Sequence, residues 1–209
     1  MRDFFSSIFK LILAVFILPL MIACSVSFSR QILIEDKFAN AMIWGFGSYL
    51  IMHLFIVAPK GLFNFHKKMM GDLFKFYLPL STVMPYLLPL YSTLLFVAFY
   101  FVKMFWHQNQ TELILVYFIG FFFTMHIILI AQDLYENDSS SLKPTYFLGI
   151  GLAYILNIVI FLGILALVLP QFPLKAFFQN FFHISKDIYK AASQQLFGLY
   201  LKNFLERRD

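Results

Sequence analysis

Apolar and polar residues follow one another along this chain in long blocks rather than in short periods. Five apolar blocks stand out, at about 8–28, 41–59, 80–101, 113–131 and 146–169, separated by short polar punctuation. Each is close to the roughly 20 residues that a helix needs to cross a bilayer. In hydrocarbon an unpaired backbone group costs several kcal/mol, so such blocks must be helices, and the period-2 alternation of barrel strands is absent. The expected fold is all-α: a polytopic integral membrane protein with about five transmembrane helices plus amphipathic interfacial helices. Residues 1–170 form its membrane domain and 171–209 an amphipathic C-terminal tail.

Two segments have helical periodicity but too much charge to span alone. In 61–77, Leu62, Phe63, Phe65, Phe74 and Phe76 are interleaved with Lys67, Lys68 and Lys75. With Lys60 these lysines form a basic set suited to a membrane surface. In the tail, Phe177, Phe181, Ile184, Ile188, Ala192, Leu196 and Leu199 recur at spacings of three and four, with Lys186 and Lys190 on a neighbouring face. A helix resting on lipid is the first expectation for this pattern. If a protein binds there instead, Phe177, Phe181, Ile188 and Leu196 are the contact candidates.

Composition agrees with the blocks. Hydrophobic residues make up 61% of the 209 residues, charged ones 13%, and mean hydropathy is +0.77. A soluble domain has about 45–50% apolar and about 25% charged residues, so much of this surface must face lipid. The single Cys24 excludes a disulfide framework and any multi-cysteine metal site within one chain. A net charge of +5 is small and scattered, which suits anionic lipid head groups and gives no argument for nucleic acid. The first block, with Arg2 and Lys10 ahead of it, has some look of a secretory signal, and Ile22-Ala23-Cys24 hints at a lipoprotein cleavage site. Its length and Pro19 inside it favour a retained helix.

Orientation follows from Lys and Arg in short loops. The N-terminus with the second and fourth loops holds Arg2, Lys10, Lys60, Lys67, Lys68, Lys75 and Lys143. The first and third loops hold Arg30, Lys37 and Lys103, so the N-terminus is expected in the cytoplasm. The tail, with Lys175, Lys186, Lys190, Lys202, Arg207 and Arg208, would then lie outside. Five spans cannot place both basic groups on one side.

Ionisable groups at membrane depth are functional candidates. His53 and His126 fall about 8–9 Å inside the same face, and His66 and Asp133 fall at that face. These four could converge as zinc ligands, and His53 with His126 could serve as axial ligands of a b-type haem. They read more simply as neutral side chains hydrogen-bonded between helices, and no resident metal is expected. Asn157, mid-span, suits an interhelical hydrogen bond. Pro85 and Pro89, close to Tyr91, should break or kink the third span. Asp133, Glu136 and Asp138 read as a solvated acidic turn ahead of Pro144. There is no His-Glu-x-x-His, Gly-rich phosphate loop or Gly-x-Ser-x-Gly elbow in the chain.

The order of these features resembles bacterial site-2-protease-like membrane zinc metallopeptidases, especially compact members. The segment Leu62-Phe63-Asn64-Phe65-His66-Lys67-Lys68-Met69-Met70-Gly71-Asp72-Leu73-Phe74 falls where their zinc-binding helix would be. Met84-Pro85-Tyr86-Leu87-Leu88-Pro89-Leu90-Tyr91, Thr124-Met125-His126 and Tyr154-Ile155-Leu156-Asn157 look like three later features of that family. The catalytic motif is missing. Lys67, Lys68 and Gly71 stand at its positions, and one turn either side of His66 are Leu62 and Met70. What the resemblance implies is a peptidase-like scaffold without the peptidase: a non-catalytic subunit or accessory protein that binds lipids and other membrane proteins. The alternatives are a bis-His haem electron-transfer subunit and a hydrolase with an unusual metal site.

Overall fold

The computed structural model describes residues 2–32, 36–55, 59–105, 110–140, 142–168 and 172–206. Among these the chain is helical nearly throughout and has no strand. In chain order the helices are α1 (Arg2–Ile32), α2 (Asp36–Phe55), α3 (Lys60–Leu73), α4 (Leu78–Leu87), α5 (Leu90–Phe105), α6 (Gln110–Asn137), α7 (Pro144–Val168) and α8 (Leu174–Glu206). Four of them, α1, α2, α6 and α7, are long and apolar enough to cross a membrane, and α4 with α5 makes a fifth candidate if the bent pair is one span. Large apolar side chains such as Phe5, Phe9, Phe16, Trp44, Leu54 and Leu167 point outward. A water-soluble surface would not tolerate so much exposed apolar area. The protein is an all-α polytopic membrane protein.

The core forms where α1, α2, α6 and α7 meet, around Cys24, Phe28, Met42, Val116, Ile119, Phe161 and Leu162. Helices α1 and α7 run parallel: Lys10 Nζ donates to Thr145 Oγ1 at 3.1 Å, and further along Ser25 Oγ meets Tyr154 OH at 2.8 Å. Gly45 lets α2 approach the backbone of α6 at Tyr117 and Phe121, and Gly120 does the same from the other side at Met42. Bilayers offer little hydrophobic drive between helices, so this close approach of small residues is what makes the α2–α6 contact strong.

The third expected span is two helices, α4 and α5, set at 74°. Leu88 takes an extended conformation (φ −95°, ψ 114°), as a residue before proline is pushed to do. Pro89 has no N–H, and Leu90 N donates to Leu88 O at 2.9 Å instead of continuing the helix. The Tyr86 carbonyl, orphaned by the break, accepts Asn157 Nδ2 from mid-α7 at 2.9 Å. Thus Pro89 and Asn157, both expected to govern packing, act together: the break at Pro89 diverts Leu90 N from the Tyr86 carbonyl and Asn157 satisfies it, while Pro85 is carried inside α4. The pair still joins opposite ends of the bundle. Helix α3 is tied to the C-terminal end of α6, whereas α5 leads to the N-terminal end of α6, about 40 Å away at 1.5 Å per residue.

At the α6–α7 corner the expected solvated acidic turn is an organised cap. Asp138 Oδ1 accepts Ser140 N at 3.1 Å and Ser140 Oγ at 2.5 Å, and Oδ2 accepts Tyr146 N at 3.0 Å in the first turn of α7. This places a carboxylate at a helix N-terminus, where the dipole favours it. Lys143, in the left-handed region at φ 48°, turns its ammonium back onto the carbonyls of Tyr135 and Asp138 at the end of α6.

Helix α8 has a partner for its apolar face within the chain. It packs lengthwise on α1. Phe177 is buried in the cluster that holds Cys24, Phe28 and Leu165, Phe181 stacks on Phe177, and Tyr189 OH donates to the Phe16 carbonyl. The apolar face is thereby covered inside the chain. Of the four partner candidates, Phe177 is buried, Phe181 and Ile188 are half-buried, and the Leu196 side chain lies outside the described residues.

Candidate functional site: a polar cluster where α3, α4, α6 and α7 meet

Helix α3 is short and amphipathic, with Phe63, His66 and Met70 buried on one face. Two ion pairs dock it on the end of α6: Lys60 Nζ to Glu136 Oε1 at 2.7 Å and Lys67 Nζ to Asp133 Oδ1 at 2.6 Å. The second is the better shielded, with side-chain exposures of 32% and 15% against 56% and 51%. Asp133 also accepts Tyr86 OH on Oδ2 at 2.7 Å, so its carboxylate links α3, α4 and α6. Tyr91 OH donates to the Leu62 carbonyl at 2.7 Å. A shallow cleft of about 130 Å³ remains between α3 and α6, lined by Lys60, Phe63, Asn64, Leu129, Gln132, Asp133 and Glu136. Lys68 and Lys75 are exposed.

Beneath the ion pairs lie two imidazoles. His66 is fully buried and His126 is 2% exposed, and their ring centroids are 5.2 Å apart with planes inclined at 33°. Phe63 and Tyr91 meet His66 edge-on at 5.8 and 6.1 Å. Nε2 of His126 has no hydrogen-bond partner in the protein, while the His66 ring lies against the Leu88 backbone, which opposes the effect of burial. Burial pushes the His66 imidazole down to about 4, so it is neutral at physiological pH. His53 stands apart, its ring stacked on Tyr49 at 5.8 Å.

Of the four metal candidates, the fold therefore brings His66 and His126 together. It holds Asp133 in an ion pair and leaves His53 against Tyr49. Among the described residues no three His, Cys, Asp or Glu side chains converge as metal ligands. A hydrolytic zinc site needs three protein ligands and a group to activate the bound water. Two imidazoles next to an ion-paired lysine do not fit that requirement. The ring that His126 meets is His66, not His53.

Tyr86 is the member of this cluster that the sequence did not single out as a site residue. A readable signal did exist for the ion pairs. Lys60 and Lys67 are two helical turns apart, and Asp133 and Glu136 one turn apart, so each pair lies on one face of its helix. Searches against profiles of known protein families, curated proteins and solved structures found no match to this chain.

Proposed function

We propose that the protein is a non-catalytic subunit or accessory protein of a larger complex in a bacterial cytoplasmic membrane, with its N-terminus in the cytoplasm. It retains a peptidase-like helical plan in which the catalytic helix has become a structural one. The observation that carries this reading is the Lys67–Asp133 pair at 2.6 Å. On the resemblance to site-2-protease-like peptidases, Lys67 falls within the missing zinc motif, and here its ammonium ties α3 to α6. A cation fixed at that point repels a metal and cannot act as the general base of hydrolysis. The end of the bundle that bears Lys10, α3 and the α6–α7 corner is the one with the short-loop basic residues, which supports the cytoplasmic assignment.

The reading is tested by extracting the tagged chain in mild detergent from its native membrane and weighing the particle. A stoichiometric complex with another membrane protein is expected. A lone monomer would overturn the proposal.

A second reading has one observation in its favour, the approach of two buried imidazoles, His66 and His126, with Nε2 of His126 unpartnered. A buried nitrogen of this kind is normally paired, and an ion held between the two imidazoles would take one nitrogen from each ring. Stoichiometric metal in the purified protein, lost on His66→Leu and on His126→Leu, is the result it requires. A metal-free protein that keeps its fold would end it.

A further inference from the structure

Helix α8 has 33 residues, about 50 Å at 1.5 Å per residue, against a hydrocarbon core of about 30 Å. Its first turns join the core beside Cys24, Phe28, Ile164 and Leu165, at the end of the bundle where α1 and α7 finish. Fifteen residues further on, Tyr189 meets Phe16 in the middle of α1. Helix α8 is therefore antiparallel to α1 and runs beside its apolar block towards the end where α1 begins, although it is less apolar than the helices able to cross alone. We infer that α8 is a sixth membrane crossing whose polar stripe is the docking surface for a transmembrane helix of another protein, one carrying carboxylates at mid-depth. The inference rests on the subunit reading above and names the surface and the partner's chemistry.

A sixth crossing removes the conflict in the charge distribution. With six crossings, the end of α8 that carries Lys202 falls on the side that holds Arg2, Lys60, Lys67, Lys68, Lys75 and Lys143, as the positive-inside rule asks.

The stripe itself is incompatible with lipid. On the face turned away from α1, Gln179, His183, Lys186, Asp187 and Lys190 are exposed. His183 Nδ1 pairs with Asp187 Oδ2 at 3.0 Å, whereas no ion pair forms to Lys186 or Lys190 among the described residues. Lys190 is one residue from Tyr189, and Phe16 is about 12 Å from the nearer edge of the α1 apolar block. That is deeper than a four-carbon stem can carry an ammonium to the surface. Ionisable groups at such depth pair with a partner or line water.

A second copy of this chain is a poor occupant. Two copies inserted with the same orientation pair their α8 helices in parallel, which sets Lys186 against Lys186 and Lys190 against Lys190. A different helix bearing Glu or Asp at that depth meets the two lysines with opposite charge.

The test uses the full chain. In inverted membrane vesicles, protease-cleavable tags appended at the two ends should share one accessibility, and opposite accessibilities overturn the sixth crossing. In phosphatidylcholine–phosphatidylglycerol vesicles, energy transfer is then read from the labelled protein to leucine-rich transmembrane peptides with either Glu or Leu at the centre. The Glu peptide should associate at least ten-fold more strongly than the Leu peptide. Lys186→Met with Lys190→Met should bring the two within two-fold, and Lys186→Arg with Lys190→Arg should restore the preference. Equal association of the two peptides, loss of preference in the arginine variant, or stronger self-association than peptide binding each overturns the inference. A native partner that stays bound to the methionine variant refutes this surface and leaves the subunit reading standing. Absence of any native partner refutes the subunit reading itself.

Discussion

The α2–α6 contact gives a sharp prediction because two glycines on one helix differ completely in their surroundings. A methyl group added at Gly45 would overlap the Tyr117 carbonyl oxygen and stand 3.0 Å from Phe121 N and 3.1 Å from the Tyr117 carbonyl carbon. All three are backbone atoms of α6, so no side chain can swing aside and the helices must part by on the order of 1 Å. A gap of that size forfeits a quarter to a half of each dispersion contact across the face. That face holds Met42, Tyr49, Val116 and Ile119, each at most 2% exposed. Overpacking costs about 1–3 kcal/mol where side chains can adjust, so Gly45→Ala should cost about 3 kcal/mol, near the upper end. Two residues along, Gly47 has nothing within 4 Å of the same added atom. Gly47→Ala should be neutral or stabilise by up to about 1 kcal/mol, as alanine favours helix over glycine. The assay is unfolding in mixed micelles of mild detergent and dodecyl sulfate, followed by circular dichroism. If the two variants unfold within about 0.5 kcal/mol of each other, close α2–α6 packing is not what holds this bundle together.

The two ion pairs that dock α3 should differ in a double-mutant cycle. Lys67→Met with Asp133→Asn should give a coupling of at least about 1 kcal/mol, because both groups are shielded and Asp133 also holds Tyr86. Lys60→Met with Glu136→Gln, half exposed on both sides, should give less than about 0.5 kcal/mol. Equal couplings would show that shielding does not set the strength of these pairs. Stability should also depend on pH at two sites outside the spans. The Asp138 carboxyl is held down to about 2, first by Ser140 Oγ and then by backbone N–H groups. Its folded value is depressed, so its contribution is complete above the ordinary range near 4 and disappears as pH falls towards about 2. Asp138→Asn should abolish that acid limb in a pH series of unfolding midpoints. His66, lowered to about 4 by burial, favours the neutral form, so the folded state should lose stability as pH falls from about 6.5 to about 4. His66→Leu should flatten that window, and an unchanged slope would refute the assignment.

The sequence by itself determined the solvent and the secondary structure. Apolar blocks of about 20 residues leave the backbone only intrasegment hydrogen bonds in lipid, and the helices α1, α2, α6 and α7 answer to four of the five blocks. It also placed the break: Pro89 acts locally, through a missing N–H and a steric clash with Leu88, and local effects are readable from neighbours in the chain, whereas Pro85 stays inside α4. The amphipathic pattern of Phe177, Phe181 and Ile188 was equally legible, but what it faces was not. A helical apolar stripe looks the same whether it meets lipid or α1, and only tertiary packing decides between them. The same limit governed the polar residues. Spacing along the chain cannot say that His126 meets His66 while His53 stacks on Tyr49, because those distances are set by how helices cross. Nor could it show that Asn157 bonds the Tyr86 carbonyl left open at the break, or that Lys67 closes on Asp133. Periodicity fixes which face of a helix a residue is on. The partner of that face is a property of the whole bundle, decided where backbones approach at Gly45 and Gly120 and where buried polar atoms must find one another.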